Sequence, residues 1–154
     1  MNINSLNVST TEVKGVSRFT IVVESTKEKI IKVVNHINKL IDVLAAFLYE
    51  EDEIYYQEIA LYKLSSKIFL KGDLVEKIII RKYGAKILKI EKDHIIIQKT
   101  GTKVGTQKLY DELKKFGEIL EFARSGRVAL SKKKRKTVNF IKQLEKTKSN
   151  KLNI

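Results

Sequence analysis

The sequence predicts an α+β fold of two small units followed by a basic C-terminal tail. Two observations point to it. Short runs rich in β-branched and aromatic residues, such as SRFTIVVE (17–24), alternate with stretches of helical periodicity. The second half of the chain also reads as a complete strand–helix–strand–strand–helix–strand series, and the first half reads as a shorter version of it. A chain of 154 residues, 43% of them hydrophobic, is long enough for one ordinary domain or two small ones.

The first unit, residues 1–49, opens directly in a strand. Residues 3–11 place apolar side chains among Asn and Ser, and a turn at Lys14 and Gly15 leads to a second strand at 17–24. No cap or flexible lead-in comes first. The unit therefore begins inside a folded element.

A helix and a strand complete this unit. Ser25 and Glu28 have the spacing of a capping box, and residues 43–48 read as a short closing strand. The predicted order is therefore ββαβ. The apolar stripe of the helix consists of Ile30, Val33, Val34, Ile37 and Ile41.

The second unit, residues 56–130, follows an acidic linker at 50–55. Gly84 is placed to end its first helix and Gly117 its second. The order βαββαβ is the ferredoxin-like pattern. The predicted elements are strand 56–65, helix 70–83 with Leu74, Ile78 and Ile79 on one face, strands 85–91 and 94–99 around Lys92 and Asp93, helix 102–115, and strand 118–124.

The first unit has this same pattern without its first strand and first helix. In the complete pattern the missing strand lies in the middle of the sheet, so its loss would leave 43–48 without its neighbour. Three explanations are open. The true start lies upstream, the flanking strands close up into a direct parallel pair, or another chain covers the gap.

The charge of the chain raises the alternative of a small Lys-rich nucleic-acid-binding protein. The net charge is +13, but residues 131–154 alone contribute +8, and the basic residues are 26 Lys against 5 Arg. Bidentate recognition of bases and phosphates favours Arg. The strands KILKIEK and HIIIQK also lack the exposed aromatic residues of RNA-binding sheets. Nucleic acid is the weaker interpretation.

The sequence contains no catalytic motif. It has no cysteine, no G-x-S-x-G and no H-E-x-x-H. GTKVGTQK (101–108) lacks phosphate-loop spacing, so we expect a helix start with Thr102 near the N-cap. His36 and His94 have no neighbouring ligands in the sequence, and we predict no metal site. Since no signal peptide is present, we expect a cytoplasmic protein.

Five stretches in order make the sequence resemble the small regulatory subunit of acetolactate synthase (acetohydroxyacid synthase). They extend over most of the chain. The stretches are NINSLNV (2–8), SRFTIVV (17–23), INKLIDVL (37–44), EIALYKL (58–64) and ARSGRVAL (123–130).

The resemblance implies an incomplete ACT domain followed by a ferredoxin-like domain. It implies a chain that is not itself the catalyst and binds no cofactor. The expected partner is a large subunit that carries thiamine diphosphate, FAD and Mg²⁺, which the small subunit activates, with valine or another branched-chain amino acid as the possible effector. A homodimer through the ACT domains is also implied. A stand-alone ACT-type amino-acid sensor is a further reading, which the second unit disfavours.

The resemblance also implies an effector site with two halves, of which this sequence carries one. The half present is Asn2, Ile3, Asn4 and Ser5 at the start of the first strand, with Asn2 as the amide contact. An ordinary strand-end Asn is the alternative. The glycine-containing loop that would meet the carboxylate is not in these residues. We therefore expect valine feedback to be weak or absent.

Two arginines and the tail complete the candidates. Arg124 and Arg127 flank a Ser-Gly turn and either contact an acidic partner surface or stand solvated beside a structural turn. Residues 131–154 place Val138, Phe140, Ile141 and Leu144 on one side of a short helix behind the KKKRK run. The tail either docks on the large subunit or an anionic surface, or is a frayed, solvated segment.

Overall fold

The computed structural model describes residues 1–72, 75–116, 119–133 and 137–152. It is an α+β fold in two compact units. One unit combines Met1–Tyr55 with Ala129–Ile154, and the other is Tyr56–Val128. The helices and strands are β1 (Asn2–Thr10), β2 (Ser17–Glu24), α1 (Lys27–Ile37), β3 (Ile54–Ser65), β4 (Lys86–Ile90), β5 (His94–Gly101), α2 (Lys103–Lys114), β6 (Ile119–Arg124), β7 (Val128–Ser131) and α3 (Thr137–Leu152).

The first unit contains a two-stranded antiparallel sheet. β1 pairs with β2 so that Leu6 lies opposite Ile21 and Val8 opposite Phe19. Gly15 adopts φ of 80° in the connecting turn, a conformation that a side chain would disfavour. Both strands and the turn were predicted, and the structure confirms them to within one residue.

Helix α1 differs from its prediction at both ends. Thr26, not Ser25, occupies the N-cap, and no side-chain capping bond forms, so the predicted Ser25–Glu28 capping box is wrong. Ser25 lies one residue too early for its hydroxyl to reach the first free N–H groups. Ile41 is 93% exposed, because the helix ends at Ile37 and the helical period ends with it. The rest of the predicted stripe, Ile30, Val33, Val34 and Ile37, is half-buried.

Residues 43–48 form no strand, so this prediction is wrong, and so is the direct parallel pair that it would have formed with the strand at 17–24. A strand needs a neighbour for its backbone groups. Here the side chain of Asn38 takes that place for one residue. Its Oδ1 accepts from the Ala46 N–H at 2.7 Å, and its Nδ2 donates to the Ala46 carbonyl at 3.1 Å. Two hydrogen bonds from the Asn38 side-chain amide therefore hold this segment, in place of the backbone hydrogen bonds of a neighbouring strand.

The second unit is built on an antiparallel sheet in the order β4-β5-β3-β6, and β7 also pairs with β3. β3 is central because it pairs with both β5 and β6, with Tyr62 opposite Ile97 on one side and Phe122 on the other. Alternate residues of β3 are buried, as period-2 alternation requires. The buried apolar core of the second unit is Ala60, Tyr62, Leu64, Ile68, Ile79, Ala85, Ile95, Ile97, Leu109 and Leu113.

The predicted helix 70–83 is not one α-helix. Ser66–Lys71 is a 3₁₀ segment and Val75–Lys82 is a π-helix. Gly72, with φ of 63°, stands between them and its left-handed backbone breaks the helical run. Of the predicted face, Ile79 is buried. Leu74 lies outside the described residues, and the side chain of Ile78 is likewise outside them.

Gly84 ends this segment as predicted. Its φ is 61°, and the Ala85 N–H donates to the Ile79 carbonyl at 2.9 Å, which satisfies one of the last free carbonyls of the helix. The β4–β5 hairpin and β6 also follow the predictions, although Glu118 lies outside the described residues. The helix end was predictable from Gly84, and the three strands were predictable from the alternation of their apolar residues.

Helix α2 begins as expected. Thr102 is the N-cap, and its Oγ1 accepts from the Gly105 N–H at 3.2 Å. GTKVGTQK is therefore a strand-to-helix turn, as predicted, and the threonine satisfies the free amide of the third helical residue, Gly105. Gly117, predicted to close the helix, lies outside the described residues.

The two ends of the chain meet within the first unit. Glu51–Glu53 is a 3₁₀ turn, and the Lys132 N–H donates to the Glu53 carbonyl at 2.9 Å. Phe140 of α3 packs on Phe47 with ring centroids 5.4 Å apart, and Ile141 is only 6% exposed. The tail forms α3, in which Ile141 is buried and Phe140 and Leu144 are half-buried, while the other side chains that the structure describes in this helix are exposed. β3 starts at Ile54, inside the stretch read as an acidic linker.

Candidate functional site

The four residues of the candidate effector half-site lie at the start of β1. Asn2 is opposite Glu24 and Ile3 opposite Val23, and the register then shifts so that Ser5 faces Val22. Asn4 lies at this irregularity. Bulges of this kind re-aim side chains near binding sites.

These residues are open to solvent. Asn2, Ile3 and Asn4 are exposed, and Ser5 is half-buried. In the described part of the chain, the structure brings no cationic side chain or helix N-terminus into hydrogen-bond contact with them. The described contacts of these residues therefore include no group that would bind a carboxylate.

An apolar face accompanies this half-site on the β1–β2 sheet. Cross-strand partners share a face, so Ile3, Leu6 and Val8 stand beside Val23, Ile21 and Phe19. Ile3, Leu6, Val8, Phe19 and Ile21 are between 44% and 64% exposed. Such a contiguous apolar surface is typical of an interaction site.

Arg124 and Arg127 face the interior of the second unit, where they share one carboxylate. Arg127 Nε lies 3.2 Å from Glu58 Oε1, and Arg124 Nε lies 3.6 Å from Glu58 Oε2. The Glu58 residue is only 5% exposed. A buried carboxylate needs such partners because desolvation of an isolated charge is costly.

Each arginine has further contacts. Arg124 Nη1 donates to Thr106 Oγ1 at 3.2 Å. The guanidinium of Arg127 lies 4.0 Å from the ring centroid of Tyr56, within cation–π range. Both side chains are thus mostly covered, 22% and 12% exposed. They are not two solvated groups beside a turn.

The Ser-Gly turn between the arginines is tied to β3 by Ser125. The Ile59 N–H donates to Ser125 Oγ at 2.9 Å, and the Ser125 N–H donates to the Ile59 carbonyl at the same distance. These two hydrogen bonds hold the turn within ARSGRVAL against β3. Sequence reasoning did not identify Glu58, although a Glu at an inward position of the alternating strand was the available indication.

A buried phenol lies next to this cluster. Tyr62 Oη donates to the Thr106 carbonyl at 2.6 Å. Burial is the main cause that raises the pKa of Tyr62 to about 12, partly opposed by the charge of Arg124. The group therefore stays neutral and serves as a donor throughout the physiological range.

The outer face of the second sheet carries a shallow groove of about 210 Å³. Its lining includes the apolar side chains of Leu61, Ile96 and Ala123, flanked by Lys63 and Glu121. This groove was not predictable from the sequence, because it depends on β3, β5 and β6 lying side by side.

The described residues contain no group of three or more acidic or histidine side chains placed to hold a metal ion. His94 Nδ1 lies 2.7 Å from its neighbour Asp93 Oδ1. In the part of the chain that the structure covers, no helix is long and apolar enough to cross a membrane.

Two family models match the chain in order. Residues 1–45 match the model described as the AHAS small subunit-like ACT domain, and residues 57–133 match the model described as the small subunit of acetolactate synthase. The second match ends before α3.

Curated relatives show the same similarity over most of their length. The acetolactate synthase small subunit of Mycolicibacterium smegmatis is 34% identical over 131 residues, which are 85% of this chain and 75% of that protein. The acetolactate synthase small subunit of Bacillus subtilis is 33% identical over 132 residues, with the same shares of both chains.

A solved structure supports the fold. The crystal structure of the acetolactate synthase small subunit from Thermotoga maritima superposes with a TM-score of 0.76 at 23% identity, over 87% of this chain and 82% of that one. At this identity the likeness concerns the fold alone.

Proposed function

The chain belongs to the family of acetolactate synthase small subunits, which are regulatory and not catalytic, and on this basis we propose that it binds and activates the catalytic subunit in the synthesis of valine, leucine and isoleucine. The observation that carries the proposal is the match of both family models in order, over residues 1–45 and 57–133. The catalytic partner supplies thiamine diphosphate, FAD and Mg²⁺, and this chain binds none of them.

The finer architecture is part of the proposal. We assign an ACT-type domain to residues 1–49, a ferredoxin-like domain to 56–130 and a basic tail to 131–154. Residues 50–55 join the two domains, and the last two of them already belong to β3. The antiparallel strand order β4-β5-β3-β6, with α2 between β5 and β6, supports the ferredoxin-like assignment. The ACT-type domain pairs with that of a second copy, and this assembly meets the catalytic subunit.

Effector control is proposed to be weak in this 154-residue chain. Asn2, Ile3, Asn4 and Ser5 would form one side of a valine site, with the Asn2 amide as the polar contact. Their exposed position on β1 supports access by a ligand. A carboxylate, however, needs donors that the described contacts of these residues do not include. We therefore expect this chain to activate the catalytic subunit without conferring strong inhibition by valine.

Arg124 and Arg127 are proposed to support the partner interface indirectly. Their contacts with Glu58 hold the turn at 125–126 against β3, so the surface beside the turn keeps one shape. The side chains of Arg124 and Arg127 are 22% and 12% exposed, and through this exposed part we propose a contact with an acidic group of the catalytic subunit.

The test is acetolactate formation by the cognate catalytic subunit with and without this chain, each with and without valine. We expect activation with little inhibition. Asn2→Ala should abolish any residual valine response, whereas Asn7→Ala, on the same strand, should leave it unchanged. Failure to activate, together with failure to bind the catalytic subunit, would contradict the proposed function. Strong inhibition by valine would contradict only the account of feedback.

A further inference from the structure

Within the second unit, the described residues place no layer over the outer face of the sheet. Glu58, Ala60, Tyr62 and Leu64 point to the buried side of β3. The alternate residues Ile59 and Leu61 point the other way and are 46% and 39% exposed. An antiparallel sheet commonly leaves one face to solvent, with polar side chains outward. Here aliphatic side chains occupy the middle of that face, and grouped apolar side chains on a surface are typical of an interaction site.

The groove on this face has a particular charge pattern. Leu61, Ile96 and Ala123 supply its apolar lining, and Lys63 and Glu121 supply one charge of each sign. Lys63 and Glu121 are direct partners in the β3–β6 register, so they stand side by side on one face. The groove is therefore locally neutral, although the whole chain carries +13.

We propose that this face is a second self-association surface, on which a second copy of this chain packs sheet against sheet. The charge pattern favours a second copy over an acidic partner, which would select a basic surface. Two chains of +13 repel each other, and a neutral apolar patch is where they can approach at least electrostatic cost. A two-fold axis lying in the interface, between β3 and β6 and parallel to them, brings Lys63 of one copy to Glu121 of the other, and the reverse.

This inference is independent of the proposed function, because it is tested on the full chain alone by sedimentation equilibrium. Lys63→Glu and Glu121→Lys should each weaken self-association by about tenfold or more. The double reversal restores the complementary pair and should return the wild-type dissociation constant. Lys108→Glu is the matched control, since it makes the same change of charge on α2, where Lys108 is exposed.

Folding has to be separated from association, because Lys63 and Glu121 are also neighbours within one chain. Thermal unfolding of each variant reports on the fold. A chemical cross-link gives a second measurement with a small side-chain change. The chain contains no cysteine, so a thiol introduced by Ala123→Cys reacts only with its copy. Packed sheets lie about 10 Å apart, beyond the reach of a disulfide, so a short bis-maleimide is the suitable reagent.

We expect Ala123→Cys to give a cross-linked dimer and Lys108→Cys to give none. The proposal is overturned if wild-type chain shows no association step that the charge reversals weaken, or if Ala123→Cys does not cross-link. It is also overturned if Lys63→Glu abolishes binding to the catalytic subunit without changing self-association, because the face would then belong to that partner.

Discussion

The Nε of Arg127 lies 3.2 Å from Oε1 of Glu58, a carboxylate inside the second unit that is only 5% exposed. The two residues are far apart in sequence, and the contact brings the start of β3 together with the turn before β7. Arg124 approaches the other carboxylate oxygen. One acidic side chain thus organises the stretch ARSGRVAL, which lies inside the family match over residues 57–133.

Glu58→Gln should destabilise the protein strongly. It removes the negative charge that compensates two largely buried guanidinium groups, and breaking such a buried pair costs about 3 kcal/mol or more. Urea unfolding measures the change. Glu28→Gln, an exposed change of the same chemistry on α1, is the control and should fall within about 0.5 kcal/mol of wild type. Equal stability of Glu58→Gln and wild type would show that the cluster is not under strong electrostatic constraint.

Stability should fall at alkaline pH because of Tyr62. Its pKa is raised to about 12 in the folded state, above the ordinary value of about 10, so folding favours the neutral phenol. This contribution is complete below pH 10 and is lost as the pH rises from 10 to 12. Unfolding measured at pH 8, 10 and 11 should show a decline that is smaller in Tyr62→Phe.

Tyr62→Phe also has an effect at neutral pH. It removes the donor to the Thr106 carbonyl and should cost about 1 kcal/mol at pH 8. If the alkaline decline were as steep in Tyr62→Phe as in wild type, other groups would be responsible for it.

Ile141→Ala should loosen the contact of α3 with the rest of the first unit. The side chain is buried, and Ile→Ala changes at buried sites cost about 2–5 kcal/mol. Hydrogen exchange at residues 43–49 should become faster, because Phe47 packs against the neighbouring Phe140. Val138→Ala, on the same helix but more exposed, is the control. Unchanged exchange in Ile141→Ala would return the tail to the solvated interpretation.

Asn38 offers a test of how residues 43–48 are held. Asn38→Asp keeps the oxygen that accepts from the Ala46 N–H and replaces the amide that donates to the Ala46 carbonyl, so we expect partial loss of protection at Ala46. Asn38→Ala removes both bonds and should cost about 1 kcal/mol locally. Amide exchange by NMR distinguishes the two. Identical protection in both variants would show that the segment is held by other contacts.

Local pattern and tertiary context contributed differently to these residues. Thr102 caps α2, and Gly84 ends the π-helix at Val75–Lys82. Both were predictable because a cap depends on residues within one turn. The strand at 43–48 was predicted from its composition alone. It failed because a strand also needs a neighbour, which composition cannot supply. The prediction of a helix at 70–83 was wrong because Gly72 adopts a left-handed backbone conformation. The helical spacing of the apolar residues does not reveal such a break.

The sequence by itself determined the family, the order of the strands and of α2 along the second unit, the two hairpins and the absence of cysteine. These features follow from the spacing of apolar residues, which repeats every two residues in strands and every 3.6 in helices, and from short motifs. Both kinds of pattern involve residues close together in the chain. Only the tertiary structure decided that Arg124 and Arg127 meet Glu58, that α3 joins the N-terminal unit and that Leu61, Lys63 and Glu121 share one groove. Such relationships join residues that are distant in the chain, so they arise only when strands and helices pack. A charge that becomes buried is then stable only beside a partner, because burial of an unpaired charge is costly.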